Sequence, residues 1–176
     1  MAQDLPFRSI PDAPENLTTE NTISRMIEGL GFRYYWATEA LRSEDLTYRP
    51  SETGQSFQQT LEHIYGLSEV ILNTAKNVPS IRPARSVPKN FNALRTETLH
   101  QLRDAAERFQ DLKTADLNSI EVIFERGGEQ QHFPLWNLIN GPISDAIYHT
   151  GQLVSFRRSA GNPIPKGVNV FLGKKM

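Results

Sequence analysis

Apolar residues recur every three or four positions along three long segments of the chain, which is the spacing of one face of an α-helix. This spacing predicts helices over about residues 19–41, 56–76 and 90–113. Ser56 and Gln59 have the spacing of a capping box, in which two side chains bond the free backbone amides at a helix start. The third segment is otherwise mostly charged or polar, so we expect an amphipathic surface helix there.

A fourth helix is predicted to begin at Pro134 and to end before Gly161. Its two apolar faces are Trp136, Ile139, Ile143, Ile147 and Val154, and, nearly opposite, Leu138, Pro142, Asp145, His149, Gln152 and Phe156. Because both faces carry apolar residues, we expect both to be buried, with Asp145, His149 and Gln152 in the middle of the second. An unpaired buried polar group costs ~2–7 kcal/mol, so these side chains need partners.

Two connections differ from the helices in pattern. Residues 77–89 contain three prolines and are predicted to form an extended surface link. Residues 120–133 alternate in character around Gly127-Gly128, which predicts a short β-hairpin that leans on the helices. The fold class predicted is therefore all-α, a four-helix bundle with a short β-hairpin between helices three and four.

The domain organisation predicted is one domain spanning residues 1–176. It comprises an irregular N-terminal arm at 1–18, a helical core at 19–163 and a C-terminal tail at 164–176. A chain of 176 residues is the length of one domain with a substantial core.

Charge and composition exclude several classes of protein. Lys plus Arg total 19 and Asp plus Glu total 20, a net charge of −1, so no basic surface is expected to attract nucleic acid. No apolar stretch approaches the ~18 residues of a membrane span, and the start lacks a signal-peptide pattern. With no cysteine in the chain, we expect a soluble cytoplasmic protein without disulfides, a cysteine nucleophile or thiolate metal ligands.

Two of the four histidines have the placement of metal ligands. Asp145 and His149 are four residues apart, so their side chains share a helix face and suit one ion. An ordinary hydrogen bond between them is the alternative. His63 lies at the edge of the apolar face of the second helix, where a core histidine is the alternative to a ligand. If the two helices face each other, two imidazoles and a carboxylate converge and leave positions open for water or substrate, as in catalytic metal sites.

Other residues are assigned with alternatives left open. Gln152, one turn after His149, could orient a ligand or cap a buried carbonyl. Asn140 stands beside Gly141-Pro142, a segment that could bend the helix, shape a pocket beside the site, or do both. Trp36 belongs to a second aromatic face of the first helix, which could pack on a neighbour or a dimer partner, or line a pocket. Arg157-Arg158 is expected to be solvated charge.

Two segments resemble the DinB/YfiT-like family of metal-associated four-helix proteins. They are Gln58-Gln59-Thr60-Leu61-Glu62-His63-Ile64, preceded by Tyr48-Arg49-Pro50, and Asp145-Ala146-Ile147-Tyr148-His149-Thr150-Gly151-Gln152-Leu153, followed by Arg157-Arg158-Ser159-Ala160-Gly161-Asn162-Pro163. The resemblance covers about residues 19–163. It implies a bacterial source, a dimer, and a metal site at one end of the helical core.

The resemblance also implies a ligand set of His63, Asp145 and His149. Asp145 departs from the family pattern, because a histidine is usual at that position. Carboxylate still ligates Zn²⁺, Ni²⁺, Fe²⁺ or Mn²⁺, and its charge should reduce the Lewis acidity of the ion. Zn or Ni is the expected ion, with Fe or Mn as alternatives.

The function implied is that of a metal-dependent enzyme of thiol-transferase or hydrolase type, acting on a small-molecule substrate. Because the chain has no cysteine, any thiol must come from a low-molecular-weight cosubstrate. The alternative is a non-catalytic bundle that binds a ligand or another protein. We expect no nucleic-acid or membrane partner.

Overall fold

The first three helices are confirmed in the computed structural model, which describes residues 4–84 and 86–176. They are α1 (Thr19–Thr38), α2 (Phe57–Ala75) and α3 (Phe91–Asp111), with a 3₁₀ turn at Ser43–Thr47 between α1 and α2. The capping box is also confirmed, since Ser56 Oγ accepts the Gln59 amide at 3.2 Å and Gln59 Oε1 accepts the Ser56 amide at 2.9 Å. Of the predicted arm, residues 1–3 lie outside the described residues.

The fourth predicted helix is broken. It consists of α5 (Trp136–Leu138), a π-helical turn (Ile139–Ile143) and α6 (Ser144–Ser159). The backbone leaves helical angles at Gly141 (φ −96°, ψ −105°), directly before Pro142, which has no amide hydrogen to donate. The Ser144 hydroxyl bonds the Ile139 carbonyl at 2.6 Å and so satisfies a group near the break.

The buried face of α6 lies between the two faces that the sequence predicts to be buried. Its buried residues are Ala146, Thr150, Leu153 and Arg157. The residues of both predicted faces flank this strip and are mostly half-buried. Trp136 is 75% exposed, so the prediction of a helix buried on two apolar faces is wrong. Small and polar residues occupy the contact because α6 packs closely on α1 and α2.

Three strands form a small mixed sheet. Strand β1 (Ser80–Arg82) runs parallel to β2 (Glu121–Arg126), which pairs antiparallel with β3 (Glu129–Pro134). The predicted hairpin is confirmed, and Gly127 (φ 61°) and Gly128 (φ 88°) supply the positive φ angles of its turn. Strand β1 comes from the proline-containing link. The class is therefore mainly helical with a mixed sheet, and not strictly all-α.

The helices enclose one hydrophobic core. Helices α1 and α2 each pack against α3 and α6, and the sheet contacts α2. A short helix α4 (Thr114–Leu117) joins α3 to the sheet, and β4 (Val168–Asn169) pairs with β5 (Lys174–Lys175) in the tail. Among the residues described, no helix has the length and apolar character to span a bilayer.

Arg157 ties α6 to the end of α1. Its side chain is 1% exposed, and Nη1 donates to the carbonyl of Glu39 at 2.7 Å and to that of Ala37 at 3.3 Å, while Nε donates to Asn162 O at 2.7 Å. A helix leaves its last carbonyls without partners, and the guanidinium satisfies those of α1. The expectation that Arg157 is solvated charge is therefore wrong, whereas Arg158 is exposed.

Asp45 holds the start of the 3₁₀ turn against the end of α6. Its carboxylate, 1% exposed, accepts hydrogen bonds from Arg42 Nη2 and Asn162 Nδ2, both at 2.6 Å, and from the Arg42 amide at 2.9 Å. Burial alone would raise the pKa of Asp45, but these hydrogen bonds outweigh it and lower the pKa to about 2.

Candidate metal centre

Asp145 brings two histidines from different helices together. Its Oδ2 lies 3.1 Å from His63 Nε2 on α2, and its Oδ1 lies 3.3 Å from His149 Nε2 one turn further along α6. Donor atoms of all three residues lie within 4.8 Å of one another. Ligands ~2.1 Å from one ion are about 3.0–3.4 Å apart in tetrahedral or octahedral geometry, so the two contacts have the separation that one ion needs.

The position of Asp145 follows from the break in the last helix. Asp145 is the second residue of α6, directly after the π-helical turn and the Gly141–Pro142 kink. Helix α6 then places His149 on the same face by its four-residue spacing. The partner His63 stands in the first half of α2, which packs against both α6 and the π-helical turn. Short π-helical turns are frequent at functional sites.

Gln152 contacts the ring nitrogen of His149 that faces away from Asp145. The Oε1 atom of Gln152 lies 2.8 Å from His149 Nδ1. An amide oxygen only accepts, so Nδ1 carries the hydrogen and the neutral ring has its lone pair on Nε2. That lone pair faces an Asp145 oxygen, which is also an acceptor. Two acceptors 3.3 Å apart need a cation or a proton between them.

The centre is open to solvent. The side chains of His63 and Asp145 are each 41% exposed, and that of His149 is 17% exposed. The prediction that this face is buried in the core is therefore wrong, and the three groups lie at an exposed junction of α2 and α6. The His149 ring contacts the His63 ring at 4.5 Å and the Tyr148 ring at 5.3 Å between centroids. Tyr148 is 65% exposed, so an accessible aromatic ring stands beside the centre.

A cavity of about 190 Å³ adjoins His63. Tyr65 and Glu69 of α2 line one side, and Arg82, Ala84 and Val87 of the proline-containing link line the other. These link residues are not predicted from the sequence. The link lies next to α2 because β1 pairs with the distant strand β2 and because Arg82 pairs with Glu69 of α2 at 3.9 Å.

The other candidate residues named from the sequence lie outside the candidate metal centre or at its edge. Asn140 lies exposed in the π-helical turn, five residues before Asp145. Trp36 is 5% exposed and lines a different cavity, bounded by the N-terminal arm and the C-terminal tail. Of the alternatives left open for Trp36, the structure shows a pocket-lining position, in a cavity that the metal ligands do not line. His132 of β3 pairs with Glu121 at 2.8 Å, apart from this cluster.

The fold and this cluster define a mainly helical protein in which two histidines and one aspartate could hold an ion at an exposed helix junction. The model of the DinB family matches residues 21–170, and the chain belongs to this family. Among solved structures, the crystal structure of a DinB-like protein, YjoA, from Bacillus subtilis is similar with a TM-score of 0.61 and 16% identity. The match covers 82% of this chain and 96% of that chain, and it supports the fold alone. A search of curated proteins finds no match.

Proposed function

We propose that the chain is a metal-dependent enzyme of thiol-transferase or hydrolase type, with His63, Asp145 and His149 as ligands of one divalent ion on a four-helix-bundle scaffold. The observation that carries the proposal is the convergence of His63 Nε2 and His149 Nε2 on the Asp145 carboxylate, at 3.1 and 3.3 Å. Two imidazoles and one carboxylate are a donor set for Zn²⁺, Ni²⁺, Fe²⁺ or Mn²⁺.

The chain's own residues would hold and orient the ion. Gln152 keeps the His149 ring in the tautomer that ligates through Nε2, as outer partners of metal-bound histidines commonly do. Asp145 contributes a negative charge that favours a cation between the two rings. When bound, a divalent ion would act as a Lewis acid that lowers the pKa of a thiol or a water molecule.

Exposure of the centre supports a catalytic role over a purely structural one. Structural zinc sites are closed by four protein ligands, whereas catalytic sites keep a position open. Here three ligands are offered, and two of them are 41% exposed. The exposed Tyr148 ring and the cavity beside His63 offer surfaces for a small substrate. Because the chain lacks cysteine, a small thiol would be the source of sulfur in any transfer.

The test has a binding arm and a catalytic arm. Untagged protein is reconstituted with Zn²⁺ or Ni²⁺, freed of excess ion and measured by elemental analysis, beside His149→Ala and the matched control His132→Ala. We expect close to one ion per chain in the wild type and in His132→Ala, and a large loss in His149→Ala. Substoichiometric metal in all three would contradict the proposed ligand set.

The catalytic arm follows thiol-dependent turnover of a chlorinated aromatic electrophile and hydrolysis of an activated ester. Activity in one assay that is lost in His63→Ala and kept in His132→Ala is the expected result. Full metal loading with no turnover in either assay would contradict the enzymatic part and favour a non-catalytic ligand-binding bundle.

A further inference from the structure

The N-terminal arm and the C-terminal tail are docked on the helices and on each other. Phe7 of the arm is 8% exposed and packs so closely on α1 that a Cβ at Gly31 would lie 2.4 Å from its ring. The Ile10 amide donates to the carbonyl of Gly173 in the tail at 2.7 Å. Gly173 has a φ of 64°, and a Cβ there would lie 2.8 Å from Ile10. These contacts hold in place the C-terminal tail and the N-terminal arm, which the sequence predicts to be irregular.

A cavity of about 1000 Å³ lies between these two segments, the end of α1 and the start of α3. This volume is within the ~300–1,000 Å³ usual for small-molecule sites. Its apolar lining residues are Leu5, Tyr35, Trp36, Ala40 and Pro165. The arm is fixed at this wall because the Trp36 indole nitrogen donates to the carbonyl of Arg8 at 3.2 Å. The residues of the metal centre do not line this cavity.

Three basic side chains, those of Arg8, Arg95 and Lys175, also line the cavity. Arg95 is paired with Glu39 and stacks on Tyr35, with its guanidinium carbon 4.8 Å from the ring centroid, so this pair is internally neutral. Neither Arg8 nor Lys175 forms an ion pair within residues 4–84 and 86–176.

The Lys175 side chain points toward the Trp36 ring. Its ammonium lies 5.5 Å from the Trp36 ring centroid. Glu39 is paired with Arg95, so Asp4 is the one remaining carboxylate in the lining that can offset Arg8 and Lys175. The cavity therefore combines an apolar wall with an excess of one positive charge.

We infer that this cavity binds a small organic anion with an aromatic body, the ring against the Tyr35–Trp36 wall and the charged group toward Arg8 and Lys175. The inference goes beyond the proposed metal chemistry, since it uses none of the three ligands. An anion is favoured because the two cations have no carboxylate in ion-pair contact among the residues described. An aromatic body is favoured because two of the five apolar lining residues, Tyr35 and Trp36, are aromatic.

The test is isothermal titration calorimetry of the full chain with 1-naphthoate as the probe, in the presence of EDTA. We expect saturable binding of one probe per chain, and weaker binding of the uncharged naphthalene-1-methanol. Lys175→Gln and Arg8→Gln should each weaken 1-naphthoate binding ~2- to 5-fold, the effect of an exposed charge pair. Both side chains are exposed, so the variants should fold normally.

Lys174→Gln is the matched control. Lys174 precedes Lys175 in β5 and is equally exposed, but successive strand side chains point to opposite faces, and Lys174 does not line the cavity. Binding should be unchanged in Lys174→Gln and also in His149→Ala. Absence of saturable binding, equal binding of the uncharged analogue, or equal effects of Lys174→Gln and Lys175→Gln would overturn the inference. Loss of binding in His149→Ala would place the probe at the metal centre and overturn it as well.

Discussion

The Nδ1 atom of His149 donates a hydrogen bond to the Oε1 atom of Gln152 at 2.8 Å, across one turn of α6. This bond determines what the other side of the ring offers. With the hydrogen on Nδ1, the Nε2 lone pair points toward Asp145 and the His63 ring lies 4.5 Å away. Gln152 therefore acts on the centre through His149, without being a ligand itself.

Gln152→Ala should weaken metal binding by about 10- to 100-fold, because the His149 ring loses the acceptor that fixes its tautomer. Gln152→Glu should restore most of the affinity, since a carboxylate oxygen also accepts from Nδ1. Competition with a chromophoric chelator measures both affinities. Gln131→Ala, exposed on β3, is the control and should bind as the wild type does. Equal affinity in Gln152→Ala and the control would count against the role of Gln152.

Asp145→His tests the departure from the family pattern. An all-imidazole set still suits Zn²⁺ and Ni²⁺, so this variant should bind metal, whereas Asp145→Leu should lose binding by more than the ~10–100-fold expected for an outer partner. Removing the negative charge should also make the bound ion a stronger Lewis acid in Asp145→His. The same chelator competition measures the metal affinity of both variants, and circular dichroism checks that they fold. Unaltered affinity in Asp145→Leu would show that the carboxylate is not a ligand.

Much of the fold follows from local sequence pattern. Helices α1, α2 and α3 end within a few residues of the predicted bounds, because a long amphipathic stripe and a cap such as Ser56 are local signals. The hairpin is likewise marked by its glycine pair. Strand β1 is not, since its three residues are too few to show a pattern and form a strand by pairing with β2, which is distant in sequence.

Part of the candidate metal centre could also be predicted from local sequence pattern. The i, i+4 spacing of Asp145 and His149 is local, and His63 was added from its helix face. The buried face of α6 was predicted wrongly, because it was assigned from the apolar residues alone. The strip that packs contains Ala146, Thr150 and Arg157, and an arginine there is understood only from the free carbonyls at the end of α1. The homodimer, the cytoplasmic location and the absence of a nucleic-acid partner stay predictions.

Arg157→Ala should lower the free energy of unfolding by about 3 kcal/mol, since it leaves buried and half-buried carbonyls without a donor at ~1–3 kcal/mol each. Arg158→Ala is the matched control, because Arg158 is the next residue of α6 and is exposed. Its effect should stay within ~0.5 kcal/mol. Urea-induced unfolding followed by circular dichroism measures both. Similar values for the two variants would contradict the account of how α6 is fixed to α1.

Asp45 should contribute stability that depends on pH. Its pKa of about 2 in the folded chain lies below the ~3.9 of an unfolded aspartate, so folding favours the ionised form. The contribution, about 2–3 kcal/mol, is fully present above pH ~5 and is lost as the pH falls through the folded pKa of about 2. Asp45→Asn should therefore destabilise the chain at pH 7, and the difference from the wild type should narrow in acid.

Urea-induced unfolding of the wild type and of Asp45→Asn, at several pH values between 7 and 2, measures the difference in their free energies of unfolding. Asp104→Asn is the control, because the Asp104 side chain is 43% exposed and pairs with Arg103 on the surface. This variant should differ from the wild type by no more than ~0.5 kcal/mol at any pH. A difference for Asp45→Asn that stays constant down to pH 2 would contradict the lowered pKa.

The most direct measurement of the central claim is anomalous X-ray diffraction from crystals of metal-reconstituted protein, recorded above and below the absorption edge of the added ion. One peak per chain is expected between His63 Nε2, Asp145 and His149 Nε2, within about 2.0–2.2 Å of each ligand atom. A peak at another site, or no peak between these three residues at full metal loading, would contradict this claim.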